Sequence, residues 1–272
     1  LRSSAWLWRI TGTLALLTTL LFIAGFIYAV RATMFPEASG KGMSPEEVRQ
    51  EERLSSGDKV QIVALGDSLT RGTGDQEGKG YVGRVRDKME EKLNKPVYVL
   101  ANYSVSGYRT EQLLYDVQHR SEVPLSISKA DLIMLTIGGN DLFAFAVGSS
   151  ESAPGEQGEM DPQQAKVRMP EAVTRLEQLF AAVAEANSRA VILYLGLYNP
   201  FLDIDDTGEI SLVVDEWNRK AFEIANRYPN MIVVPTYDLF EYQLSKYLYS
   251  DHFHPNREGY ERIAERIMQV LE

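Results

Sequence analysis

From Lys59 to the C-terminus the chain alternates short apolar, β-rich runs with amphipathic stretches, and few architectures accept that alternation. The runs fall at 60–65 (VQIVAL), 97–101 (VYVLA), 132–137 (LIMLTI), 190–195 (AVILYL) and 231–234 (MIVV). They are apolar at nearly every position rather than at every second one. Strands covered on both faces have this signature, so the sheet is expected to be parallel. Helical stretches are expected between them, near 81–94, 110–119, 170–187 and 213–227. A last helix near 256–271 places Tyr260, Ile263, Ala264, Ile267 and Val270 on one stripe. The expectation is an α/β fold, a three-layer α/β/α sandwich built on a five-stranded parallel sheet. Ligands of such sheets bind beyond the carboxyl ends of the strands, at a topological switch point.

The N-terminal segment obeys a different rule. Residues 10–30 read ITGTLALLTTLLFIAGFIYAV, without a charge. At about 1.5 Å per residue this run spans roughly 30 Å, the thickness of a bilayer's hydrocarbon core. Trp6 and Trp8 on one side and Tyr28 on the other stand where interfacial aromatics belong. A cleaved signal would have a shorter apolar region ending in a small-x-small site, which Ala29-Val30-Arg31 does not supply. The expected organisation is a short cytoplasmic tail (1–9), a transmembrane signal anchor (10–30), a stalk (31–57) and a catalytic domain (58–272) outside the membrane. Secretion after signal cleavage is the alternative. Within the stalk, Ser44-Pro45-Glu46-Glu47 reads as a helix start with Ser as N-cap and Pro at N1. The charged VRQEERL that follows reads as solvated spacer.

Composition mainly excludes. With no Cys in 272 residues there is no disulfide, no thiolate metal site and no catalytic thiol. A net charge of -10 argues against a nucleic-acid surface.

Polar motifs follow the strands. The first runs into Gly66-Asp67-Ser68-Leu69-Thr70, where a tight turn would lift Ser68 above the sheet edge. This is not the G-x-S-x-G elbow, since Thr70 stands where its second Gly belongs. The later Gly74–Gly80 stretch is not a phosphate loop, because its spacing is one short and no Ser or Thr follows Lys79. A serine nucleophile needs a base, and only three His are available. His119 closes a predicted helix, where a cation suits the C-terminus. His254 lies three residues after Asp251, close enough for that carboxylate to orient its ring. A metal site of Asp251, His252 and His254 is disfavoured, because no second ligand cluster accompanies it. Asn256 is the expected cap of the final helix. For an oxyanion, the candidate donors are the Gly107 N–H after the second strand and the Asn140 amide in Gly138-Gly139-Asn140-Asp141 after the third. Each alone also reads as an ordinary strand-ending turn.

Taken in order, these blocks resemble the SGNH hydrolases, the GDSL-type lipases and esterases, and the match runs over residues 59–272. The resemblance implies a flavodoxin-like fold and ester hydrolysis. It assigns Ser68 as nucleophile, His254 as base and Asp251 as its orienter. Ser68 N–H, Gly107 N–H and Asn140 would form the oxyanion hole, with no cofactor and no metal. Among family members the chain looks most like membrane-anchored esterases of Gram-positive bacteria. The expected partners are a small-molecule or lipid ester and, through the N-terminal helix, a membrane. Phe143, Phe145, Tyr198, Phe201 and Phe253 would line an acyl pocket or simply belong to the core. Segment 148–164 has no apolar periodicity and reads as a loop. Lipid acyl esters and acetylated surface glycans both remain open as substrates. Acyl transfer to an alcohol is a rival reaction, and a non-catalytic surface-binding module is a rival class.

Overall fold

The computed structural model describes residues 5–34, 54, 56–143 and 161–272. The Ser44-Pro45 helix start, Phe145 and most of segment 148–164 lie outside these residues. The chain divides into two compact units, Leu1–Val48 and Arg49–Glu272.

Among its described residues the first unit holds one helix, α1 (Ala5–Met34), which extends beyond the apolar run at both ends. Its window Trp8–Phe26 is long and apolar enough to cross a bilayer. Threonines are the polar interruptions of this run, and the helix absorbs their hydroxyls. Thr13 donates to Arg9 O (2.7 Å), Thr18 to Leu14 O (2.6 Å) and Thr19 to Ala15 O (2.8 Å). A hydroxyl bonded to its own helix needs no water.

The second unit runs β1 (Val60–Gly66), α2 (Ser68–Arg71), α3 (Gly80–Leu93), β2 (Val97–Ser104), α4 (Thr110–His119), α5 (Glu122–Ile127), β3 (Leu132–Thr136) and α6 (Gly139–Phe143). It continues with α7 (Pro162–Ala186), β4 (Val191–Leu195), a 3-10 turn (Leu202–Ile204), α8 (Glu209–Ala225), β5 (Met231–Val234), α9 (Tyr237–Phe240), α10 (Leu244–Tyr247) and α11 (Arg257–Val270). All strand pairs are parallel, in the order β2-β1-β3-β4-β5. Alternate residues feed two cores. Val63, Leu65, Ile133, Leu135, Ile192 and Tyr194 pack with α4, α5, α7 and α8. Ile62, Ala64, Leu132, Met134, Val191 and Leu193 pack with α3, α10 and α11. That is the expected three-layer sandwich. The chain steps outward from β1 to β2 and then back across to β3, so the carboxyl ends of β1 and β3 flank the switch point.

Three expectations need correction. The helix expected at 170–187 starts at Pro162, because Asp161 accepts the Gln163 N–H (2.9 Å) and Gln164 N–H (3.3 Å) and Pro162 stands at N1. Pro170 therefore sits inside α7. An interior Pro costs about 3 kcal/mol, and buried Ala165, Met169, Ala172 and Leu176 around it offset that cost. The end of segment 148–164 is accordingly helix, not loop. Leu54, read as solvated spacer, is buried in the α3–α11 core, so the globular unit begins before residue 58.

Candidate active site

Ser68 leaves β1 as the first residue of the one-turn helix α2. Asp67 is the N-cap of that turn and accepts the Leu69 N–H at 3.0 Å. The turn lies hard against β3. A Cβ on Gly66 would stand 2.1 Å from Thr136 O, and Gly66 takes a φ of 138°, so only glycine fits there.

His254 reaches Ser68 from the far end of the chain. Its Nε2 lies 2.8 Å from Ser68 Oγ, and its Nδ1 lies 2.7 Å from Asp251 Oδ2. Asp251 Oδ1 accepts the N–H groups of Phe253 (3.0 Å) and His254 (2.9 Å), so one carboxylate folds the whole loop around itself. Burial pushes the Asp251 carboxyl up, but the hydrogen bonds from the His254 ring and the two N–H groups outweigh it, leaving it below the ordinary carboxylate range. The loop is fastened on both sides. Tyr249 N–H donates to His254 O (2.7 Å), and Tyr198 Oη donates to Phe253 O (2.6 Å). As expected, Asn256 caps α11, accepting the Gly259 N–H at 3.0 Å. Ser68 and His254 are both buried, whereas Asp251 faces solvent.

Asn140 lies on α6, just beyond the end of β3, and shares a pocket wall with Ser68. Its amide donates one hydrogen to Tyr108 O at 2.9 Å, leaving a second donor. Gly107 is not part of that wall. It occupies the third position of a turn closed by Tyr108 N–H to Val105 O (3.1 Å), with a φ of 85° that this position requires of glycine. Its link to Asn140 runs through Tyr108 O. Asp67 and Thr136 line the pocket beside Ser68, and Leu69, Phe143, Leu195, Leu197, Tyr198, Pro200 and Phe253 make most of the rest apolar. Phe201 packs behind it, against Phe143 (6.0 Å) and Phe253 (5.7 Å). His119 lies outside the pocket, stacked on Tyr115 at 4.3 Å. Among the described residues no three His, Asp or Glu side chains converge as a metal site would require.

Several polar residues around the site were not singled out from sequence. Asp141 accepts the Thr110 N–H (2.9 Å) and hydroxyl (2.5 Å), tying the Asn140 helix to the segment just after Gly107. Burial raises its carboxyl above the usual range despite those bonds. Asp67 is raised by burial in the same way. Asp75 organises the Gly-rich stretch after Ser68, accepting from the Glu77, Lys79 and Gly80 N–H groups and from buried Arg84. A polar Thr136 inside the apolar run LIMLTI was a legible signal. Nothing in the sequence marked Tyr81 or Thr110.

A hydroxyl against one imidazole nitrogen, with a carboxylate holding the other, is the arrangement that activates serine for acyl transfer. The comparisons agree with this chemistry. The model of the GDSL-like Lipase/Acylhydrolase family matches residues 64–262, and the chain belongs to that family. It is 32% identical over 231 residues to the uncharacterized protein YpmR of Bacillus subtilis (strain 168), covering 84% of this chain and 88% of that one. It is 31% identical over 214 residues to the spore germination lipase LipC of Bacillus licheniformis, covering 76% and 94%. The crystal structure of the lipase Lip_vut3 from a goat rumen metagenome superposes with a TM-score of 0.66 at 28% identity, covering 78% of this chain and 100% of that one. Family and geometry together make the chain a serine-dependent carboxylic ester hydrolase that works through an acyl-enzyme on Ser68.

Proposed function

We propose that the enzyme hydrolyses acyl esters of lipid-like character at the outer face of a membrane to which α1 holds it. The observation that carries this reading is the Ser68–His254–Asp251 relay opening onto an apolar pocket. Ser68 Oγ attacks the ester carbonyl as its proton passes to His254 Nε2, and Asp251 stabilises the imidazolium through Nδ1–H. The same proton then leaves with the alcohol. Water deprotonated by His254 releases the acid from Ser68. Negative charge on the carbonyl oxygen meets the Ser68 N–H and the second Asn140 amide hydrogen, with the Gly107 N–H as the third donor that the family resemblance implies; each such donor is worth about 10²–10³ in rate. The pocket's apolar side chains receive the acyl chain, and the lipase activity in the name of LipC supports that choice over acetylated glycans.

The remaining organisation is tail 1–9, membrane span 10–30 and a tether from 31 that ends before Leu54. Support comes from the uncharged run 10–30 within the helix, its internally bonded threonines and its exposed Trp6 and Trp8. Both Bacillus relatives favour a Gram-positive cell as the setting. A fluorophosphonate probe should label the wild type and not Ser68→Ala, and p-nitrophenyl esters should be cleaved faster as the acyl chain lengthens beyond acetyl. Preference for acetyl would sink the lipid reading, while product transfer to an added alcohol would make the enzyme a transferase. Protease treatment of intact cells should remove the globular unit if it faces outward, and a mature chain starting after residue 30 would replace the anchor by a cleaved signal.

A further inference from the structure

Beneath Ser68 a line of buried hydroxyls runs through the protein. Tyr81 Oη lies 2.6 Å from Thr70 Oγ1, Thr70 Oγ1 lies 2.7 Å from Thr136 Oγ1, and Thr136 Oγ1 donates to Asp67 Oδ1 at 2.7 Å. The four residues are between 0% and 3% exposed, with Asp67 and Thr136 also lining the pocket beside Ser68. The hydrogens can be counted. Thr136 donates its one hydrogen to Asp67, so it must accept from Thr70. Thr70 in turn must accept from Tyr81. Three hydroxyls thus make three bonds pointing one way.

The line ends on the residues that surround the nucleophile. Asp67 and Leu69 flank Ser68, and Thr70 follows in the same turn. The Asp67 N–H donates to Thr136 O at 3.2 Å, and Asp67 Oδ1 takes the Leu69 N–H as well. Ser68 itself is left with its hydroxyl on His254. Thr136 also ends β3, the strand that leads to Asn140 four residues later. One side chain therefore fixes the β1 exit, which carries Ser68, against the β3 exit, which carries Asn140.

We propose that Thr136 is a positioning residue for ester hydrolysis, setting the Ser68 turn relative to Asn140 through its hydroxyl, with Thr70 and Tyr81 holding that hydroxyl in its working direction. The inference rests on Ser68 being the nucleophile. A misplacement of about 1 Å can cost roughly 10²-fold in rate, so the effect falls chiefly on kcat.

The test compares Thr136→Val, Thr136→Ser and Tyr81→Phe with wild type, using p-nitrophenyl butyrate for kcat and KM, fluorophosphonate labelling, and Tm. Thr136→Val keeps the shape and loses the hydroxyl; its kcat should fall roughly 10- to 100-fold, with KM nearly unchanged. Thr136→Ser should recover most of the loss. Tyr81→Phe should show a smaller kcat loss of the same type, and it carries the test should Thr136→Val fail to fold. Wild-type kcat in either the Val or the Phe variant overturns the proposal. So does a loss matched by a lower folded fraction or a rising KM, or a Ser variant as poor as Val. If the wild type itself is not labelled, the reading of Ser68 fails instead.

Discussion

The two sides of the active site are built in opposite ways. His254 and Asp251 belong to one short loop, three residues apart, and that loop's hydrogen bonds are mostly its own. Ser68 and Asn140 come from different strand exits. Contacts reaching across the fold hold them, from Thr136 to Asp67, from Thr110 to Asp141 and from Tyr108 to Asn140. The first side is solvent-facing at Asp251, and the second is buried apart from half-buried Asn140. A base must rotate and exchange protons, and a local loop serves for that. Donors and a nucleophile must hold fixed separations while charge develops between them, which calls for rigid strands and water-free polar anchors.

Substitutions that break each side should lose activity in that order of directness. Ser68→Ala removes the attacking atom and should lower kcat for a p-nitrophenyl ester by about 10⁴-fold or more. Its melting temperature should stay close to wild type, and retained turnover would unseat the nucleophile. Asp251→Asn leaves the loop's shape but loses the carboxylate that holds the ring's proton on Nδ1, with a loss of up to about 10⁴-fold. On the other side, Asn140→Ala should cost about 10²–10³ in kcat with little change in KM. Equal losses in kcat/KM arising from KM alone would make Asn140 a binding residue rather than an oxyanion donor.

The same division explains what was legible in the sequence. β1, β3 and β4 were readable because they are buried on both faces almost throughout, and β2 and β5 because they are apolar runs of strand length, although β2 is largely exposed at the sheet edge; the limits of all five shifted by only a few residues. Asp251 and His254 were readable because their partnership is local, and Ser68 because its block matched a family pattern. Long-range polar anchors leave no such trace. Tyr81 and Thr110 look like any helical Tyr or N-terminal Thr until the fold brings Thr70 and Asp141 to them. The helix expected near 170–187 begins two turns earlier, which only the Asp161 cap and the packing of α7 around Pro170 show. Leu54 misled because charges surround it in sequence, while its own side chain reaches the core.

The smallest effect separates the two sides most cleanly, because it is a difference of sign. In the folded protein Asp251 sits below the ordinary carboxylate range: burial raises it, and its three hydrogen bonds more than compensate. Asp141 sits above that range, because burial outweighs its bonds to Thr110. The unfolded chain holds both near about 3.9. Asp251 therefore contributes stability that is present above that value and is lost as pH falls through its lower folded pKa. Asp141 contributes stability that is complete below that value and is lost as pH rises through its higher folded pKa. Thermal unfolding of wild type, Asp251→Asn and Asp141→Asn across the acid range reads this directly. Each amide substitution adds a constant offset from changed hydrogen bonding, and only the slope with pH reports the charge. Wild type should lose ground to Asp251→Asn as the solution is acidified below about pH 4. It should lose ground to Asp141→Asn as pH climbs from the same point. Parallel slopes would mean that the solvent-facing and buried carboxylates are held alike, and the contrast between the local loop and the long-range anchors would not extend to their electrostatics.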